Sequence, residues 1–349
     1  MSSVWTPYEV IESHDKRAVE RFLAQFGLRY DAGSDVTTEI RVAGDIVATG
    51  SLKGNVLQCL AVSPSLQGEG LSGKLIHHLM LIAHRAGHTR VFIYTTPVQA
   101  HLFASLGFRT LVKTKWAALL ESGYPSFADY LAQLRAVAGS QAAMQGGLVG
   151  GLVMNCNPFT LGHAHLVKAA AERCDRVFLL VVEEDKSVFP FAVRLELVRQ
   201  GTRQFENVTV LPTGPYAVSI ATFPSYFSEE ETAHARAGAS IDATLYAAHI
   251  APALRVRTRF VGTEPYSPVT AIYNQVLRET LVSHNMELLE ISRLEQGGRA
   301  ISALLVRQAL REGDFAALPQ LVPETTLAFL VSDQATGIVE RLKASSGRH

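Results

Sequence analysis

Cysteine is scarce in this chain. Cys59, Cys156 and Cys174 are the only three in 349 residues. Their odd number and the lack of any C-x-x-C pair exclude a disulfide-stapled secreted scaffold and a zinc ribbon, and point to a reducing compartment, the cytoplasm. Charge of one sign is also lacking. Lys and Arg total 32 and Asp and Glu total 32, so no global field draws in a polyanion and nucleic acid is not expected as a partner. No stretch reaches the roughly 18 consecutive apolar residues of a spanning helix, and the opening MSSVWTPYEVIESHDKRAVERF has no apolar signal core. Neither a membrane span nor export is expected. With 48% apolar and 18% charged residues, the chain can bury a large core and is long enough for two ordinary domains.

The run RAVAGSQAAMQGG, residues 135–147, is rich in small residues and follows a helical pattern. It reads as a linker, with the boundary at residues 139–147 and domains at 1–138 and 146–349. Within the first domain, two short strands around a KGN turn lead into SLQGEGLSGKLIHHLMLIAHRAG. Leu71, Leu75, Ile76, Leu79 and Ile82 have helical spacing there, so a glycine-bearing loop opens a helix. Backbone N–H groups at a helix start lack partners and carry partial positive charge. Gln67, Gly68 and Gly70 are therefore candidates to cradle a pyrophosphate, the alternative being a plain tight turn. His84 and His88 share the i, i+4 spacing of a metal site but have no third ligand, so no metal centre is expected.

In the second domain, GGLVGGLVMN reads as an apolar strand and HAHLVKAAAERC as a helix, with the polar turn NPFTLG between them. Open α/β sheets bind ligands at that end of a strand. Thr160 and the helix-start N–H groups are expected to donate to phosphate oxygens, Gly162 to let a nucleotide approach, and His163 and His165 to project imidazoles. Asn157 and Phe159 flank the same turn and are counted with it as nucleotide-binding. Lys186, just past the next strand, can reach phosphate as a point charge, and Arg194 is either a second phosphate clamp or a helix-surface residue in an ion pair. Ser302 opens a late helix that carries Arg307. Phe223 and Tyr226 are expected to close over a small acyl group, with Phe223 equally a candidate for the core. Glu264 is expected to contact ribose or a carrier, or else to cap a turn. Cys156 is expected to be structural.

The segments VSPSLQGEGLSGKLI, VFIYT and HLFASLGF resemble the GNAT-type acetyltransferases over roughly residues 1–135, with Ser72 standing where Gly or Ala is usual. The resemblance implies a mixed α/β fold and CoA or acetyl-CoA binding, although an amine acetyltransferase needs a base or water route and none is obvious. NPFTLGHAHL resembles the (His/Thr)-x-Gly-His signature of the nucleotidylyltransferase superfamily. GGRAISALLVRQAL resembles its Ile-Ser-x-x-x-x-Arg element, with Ala303 and Leu304 replacing the usual hydroxyl pair. A Rossmann-like, doubly wound parallel sheet is implied.

The order of all these segments, together with EEDKSVFPFAVRLELV, ATFPSYF and VGTEPYSPVTAIYN, resembles the citrate lyase ligases over nearly the whole chain. That resemblance implies ATP- and Mg²⁺-dependent acetylation of a prosthetic-group thiol on the acyl carrier subunit of citrate lyase. Acetate would be the acyl source, AMP and pyrophosphate the products, and His163, Lys186 and Thr160 the catalytic residues. Two alternatives stay open: a free-standing adenylyltransferase acting on a phosphomonoester, and a non-catalytic protein that senses acyl-CoA or docks a carrier.

Overall fold

The computed structural model describes residues 11–140, 147–183, 187–217, 231–263 and 268–344. The chain divides into two units, Met1–Tyr130 with Val218–Leu245, and Leu131–Ala217 with Tyr246–His349.

The first unit is built from β1 (Ile11–Glu12), α1 (Lys16–Ala24), β2 (Val36–Val42), β3 (Asp45–Lys53), β4 (Val56–Val62), α2 (Leu71–Arg85), β5 (Arg90–Thr95), α3 (Ala100–Ser105), β6 (Arg109–Lys113) and β7 (Ala118–Gly123), and α4 (Phe127–Ser140) leads out of it. Its seven strands lie in the order β1-β2-β3-β4-β5-β7-β6. All neighbours are antiparallel except β4 and β5, which run parallel and pair only at Val56 with Phe92 and Leu57 with Ile93. Past these rungs the two strands part. The cause lies in β4, where the register with β3 shifts between Thr49 and Ser51 and Cys59 takes a φ of 54°. Such a bulge bends its strand away from a neighbour. The apolar face predicted for α2 is the face it buries: Leu71, Leu75, Ile76 and Leu79 are all in the core, each contributing on the order of 1.5–3 kcal/mol of burial.

The second unit begins with β8 (Val149–Met154), α5 (Leu161–Ala171), β9 (Arg176–Val181), α6 (Phe191–Thr202) and β10 (Val208–Pro212). The chain then contributes α7 (Glu231–Leu245) to the first unit, where it packs on β6 and Ser240 Oγ lies 3.0 Å from Thr114 Oγ1. It re-enters the second unit through a π-helical segment (Tyr246–Ile250), α8 (Ala251–Leu254), β11 (Thr258–Gly262), α9 (Pro268–Ser283), β12 (Glu287–Ile291), the small hairpin β13 (Glu295–Gln296) and β14 (Arg299–Ala300), and α10 (Ala303–Glu312), α11 (Glu324–Leu330) and α12 (Thr336–Ala344). Five parallel strands lie in the order β10-β9-β8-β11-β12. Strand β9, RVFLLV, is buried along almost its whole length, as a strand covered on both faces must be. The order reverses direction at β8, so the crevice of this doubly wound sheet opens at the end of β8, where the polar turn stands. The fold is thus a GNAT-like mixed sheet followed by a Rossmann-like parallel one.

Candidate active site

At the end of β8 the chain turns through residues 155–160 into α5. Thr160, extended at φ −122° and ψ 169°, caps the helix: its Oγ1 accepts from the His163 N–H at 3.3 Å, while the Thr160 N–H donates to His163 Nδ1 at 3.0 Å. This reciprocal box ordinarily uses Glu or Gln at the third helical position. Here an imidazole fills it. Because Nδ1 is the acceptor, the neutral ring carries its proton on Nε2. Beneath it the Phe159 ring stacks on the imidazole, with centroids 5.8 Å apart and planes 15° from parallel.

Several residues expected at this turn have different tasks. Thr160 is buried, and its hydroxyl serves the cap and the histidine; it orients the imidazole instead of facing phosphate. Gly162 is required by a protein neighbour, since a Cβ there would lie 2.6 Å from the Ile301 carbonyl oxygen. The Leu161 N–H is taken by the Leu321 carbonyl at 2.9 Å and the His163 N–H by Thr160, so the helix start offers an anion the Gly162 N–H. Phe159 is fully buried in the core and supports the turn from below. Asn157 is buried too, and its Oδ1 accepts from the Phe189 N–H at 3.1 Å. His165 is half-buried, two positions on from His163 and therefore on another side of α5.

Arg194, expected as a phosphate clamp or a surface ion-pair partner, is fully buried. Its Nε donates to the Phe189 carbonyl at 2.9 Å, and its Nη1 donates to the carbonyls of Asn155 and Val182 at 2.8 Å each. It ties the turn after β8 to the loop after β9, a delocalised cation satisfying three backbone carbonyls at once. Ser302 caps α10 and its Oγ accepts from the Leu305 N–H at 3.4 Å. Arg307, one and a half turns into that helix, donates from Nη1 to the Asn157 carbonyl at 2.7 Å. The late helix is therefore joined to the turn. Ala303 and Leu304 open α10, and Leu304 is 47% exposed. Lys186, Glu264, Phe223 and Tyr226 lie outside the described residues.

Burial, with the positive charge of Arg293 second, holds the His163 imidazole down at about 4, so the ring is neutral at pH 7. Arg293 follows β12 and donates from Nε to the Thr263 carbonyl at 2.6 Å, at the ligand-binding end of the sheet. Sequence reasoning missed it. The available signal was a basic residue two positions beyond the strand ELLEI. Desolvation, with the nearby Arg311 second, likewise holds the Arg307 guanidinium below its usual value. Cys156, next to the turn, is buried, and burial pushes its thiol well above the usual range, as befits a structural thiol.

A family model described as the citrate lyase ligase C-terminal domain matches residues 149–330. A citrate (pro-3S)-lyase ligase of Klebsiella pneumoniae is 38% identical over 321 residues, 90% of this chain and 92% of the relative. The chain belongs to the citrate lyase ligase family. Further ligases of that name, from Escherichia coli and Haemophilus influenzae, are 38% and 35% identical and cover 92% and 93% of this chain, and 92% and 98% of their own lengths. Solved structures overlap it in part. Thermotoga maritima TmcAL bound with alpha-thio ATP is 16% identical over 55% of this chain and 57% of that one, with a TM-score of 0.37. A GNAT-family acetyltransferase from Staphylococcus aureus is 12% identical over 34% of this chain and 99% of that one, at 0.29. At such scores the fold assignment rests on the strand order itself.

The first unit of this citrate lyase ligase family member holds the other predicted group. Gly68 and Gly70 adopt φ of 91° and 76°, conformations natural to glycine, and Gly70 precedes the first residue of α2. Gln67 and Gly68 line a cavity of about 560 Å³ at the open ends of β4 and β5. No helix among the described residues is long and apolar enough to cross a membrane.

Proposed function

We propose that this chain activates citrate lyase by acetylating, at the expense of ATP, the prosthetic-group thiol of the lyase's acyl carrier subunit, and that acetyl-adenylate forms at the β8–α5 turn. The observation that carries this reading is the histidine: a neutral imidazole, locked through Nδ1, presents Nε2–H at the switch point of a doubly wound sheet. A donor held in place before the reaction stabilises charge as it develops without reorganising.

Acetate's carboxylate oxygen attacks the α-phosphorus, the bond to the bridging oxygen of the β-phosphate breaks, and pyrophosphate leaves with the electron pair. His163 Nε2–H and the Gly162 N–H donate to the oxygens of the transferring phosphoryl group. Arg307 stabilises the departing pyrophosphate, and the family resemblance gives Lys186 the same task. The carrier thiolate then attacks the acetyl carbon, the carbon–oxygen bond to AMP breaks, and the thiol's proton passes to solvent. With Cys156 buried and protonated, no covalent enzyme intermediate is needed. Among the described residues no group of three or more His, Cys, Asp or Glu is arranged to hold a metal ion. The turn's N–H donors suit phosphate oxygens instead, and Mg²⁺ carried in on the triphosphate would supply further charge neutralisation.

Exchange of labelled pyrophosphate into ATP tests the first step. Acetate is expected to support it, and a phosphomonoester is not. Exchange that requires a phosphomonoester and ignores acetate would make the chain an adenylyltransferase of cofactor precursors.

A further inference from the structure

Between β6 and β7 the chain turns through residues 114–117, a tip that the adenylating chemistry does not use. The Thr114 N–H donates to the Ala117 carbonyl at 2.8 Å, and Thr114 Oγ1 accepts from the N–H groups of Trp116 and Ala117 at 3.1 Å each. The same hydroxyl lies 3.0 Å from Ser240 Oγ on α7. A threonine side chain that closes its own turn fixes the backbone around it. The tip is therefore held in one shape, and it holds out Lys115 and Trp116, both exposed, the indole to 41%.

Two cations lie over that ring. Lys115 Nζ is 4.7 Å from its centroid, and Cζ of Arg236, on α7, is 5.9 Å from it, both within reach of a cation–π contact. Lys113, the last residue of β6, is exposed as well. Among the described residues, none of these three cations pairs with a carboxylate. The charges of the whole chain sum to zero, so the cluster is a local excess and not a consequence of composition. Trp and Arg carry a disproportionate share of the binding energy at protein interfaces. An apolar partner face would bury these cations unpaired, which is costly, whereas a face of carboxylates pairs them and is steered in by them.

We infer that the β6–β7 tip is a docking surface for an acidic face of the protein that bears the acceptor thiol, with the Trp116 indole at its centre and Lys113, Lys115 and Arg236 as its charged border. The inference rests on the thiol-acetylation reading above and adds a place where the carrier protein itself is gripped, apart from the group it carries. Such a grip makes the later encounters of the thiol intramolecular and raises its effective concentration without any new chemistry.

Substitutions of exposed residues in the full-length protein test it, with circular dichroism to verify folding. Lys115→Glu and Trp116→Ala should leave acetate-dependent pyrophosphate exchange within about twofold of wild type. Each should raise KM for the thiol-bearing acyl carrier subunit by about tenfold, equivalent to about 1.4 kcal/mol, while Lys115→Arg, which keeps the charge, should stay near wild type. Because exposed charges are screened by salt, the wild-type carrier KM should also rise between about 50 and about 300 mM salt, and less so in Lys115→Glu. An unchanged carrier KM in either Lys115→Glu or Trp116→Ala overturns the docking surface, and a wild-type KM indifferent to salt overturns the acidic face. Binding of the wild type to phosphatidylserine vesicles that both variants lose, with the carrier KM unmoved, would make the tip a lipid contact instead. Should wild type fail to exchange pyrophosphate with acetate, the adenylation reading falls, and calorimetric titration with the carrier subunit still decides the surface: binding that both variants weaken about tenfold supports it, and equal binding or none overturns it.

Discussion

The 67–70 loop and the 155–163 turn both carry a strand into a helix, yet they hold their donors in opposite ways. In the first, Gly68 and Gly70 are exposed, would-be Cβ atoms there meet nothing within 4 Å, and α2 starts without a side-chain cap. In the second, Thr160 caps α5 and Phe159 fills the core beneath it. Arg194 binds the turn to the next loop, Arg307 reaches it from α10, and the Leu321 carbonyl takes its first helical N–H. An open loop of glycines displays backbone to a ligand that brings its own shape. A braced turn holds one side chain in one tautomer. The first arrangement suits binding and the second suits chemistry, where a small misplacement of a reacting group is costly.

The comparison breaks most visibly at Phe159. Phe159→Ala should destabilise the second unit by about 3–5 kcal/mol, the usual loss for a buried ring, read as a fall in the midpoint of its denaturant transition. Gly68→Ala, in the open loop, should cost far less, on the order of 1–2 kcal/mol for a left-handed residue. Equal losses would remove the distinction between braced and open turns.

Thr160→Ala comes next. Loss of the cap should cost about 1 kcal/mol. The freed imidazole should lower kcat for adenylate formation more than that loss of stability explains, while KM for ATP moves little. Thr160→Ser, which keeps the hydroxyl, should restore most of both.

The pH response is a separate effect on stability. His163 sits at about 4 in the folded chain against about 6.5 in an unfolded one. Between those values the unfolded state binds more protons, so stability should fall as pH drops from about 6.5 to about 4 and lose nothing further from this group below that. The slope should be shallower in His163→Asn, measured as unfolding free energy at pH 7 and pH 4.5.

Much of this was legible in the sequence because it is local. The helical spacing in α2 marked Leu71, Leu75, Ile76, Leu79 and Ile82; the first four are buried and Ile82 is half-buried. Thr160 and His163 stand three residues apart and were legible as a local pair, but as phosphate donors and not as the reciprocal cap they form. The bracing was not legible. Arg307 meets Asn157 across 150 positions, and Arg194 meets Asn155 across 39. Nothing in either neighbourhood says which carbonyl each guanidinium satisfies. Gly162 looks like a nucleotide glycine until Ile301 arrives from a different helix start. The helix Glu231–Leu245 lies beyond the linker read at 139–147 and packs with the first unit. Its apolar pattern identifies a buried helix without naming the sheet that buries it.

Acetate-dependent exchange of labelled pyrophosphate into ATP by His163→Ala, set beside wild type at saturating ATP, Mg²⁺ and acetate, tests the central claim most directly. Removing one preorganised donor to a developing charge typically lowers the rate by about 10²–10³. The account predicts a loss of that size in a variant whose circular dichroism and unfolding at pH 7 match a folded protein. A folded His163→Ala that exchanges within about threefold of wild type would contradict it.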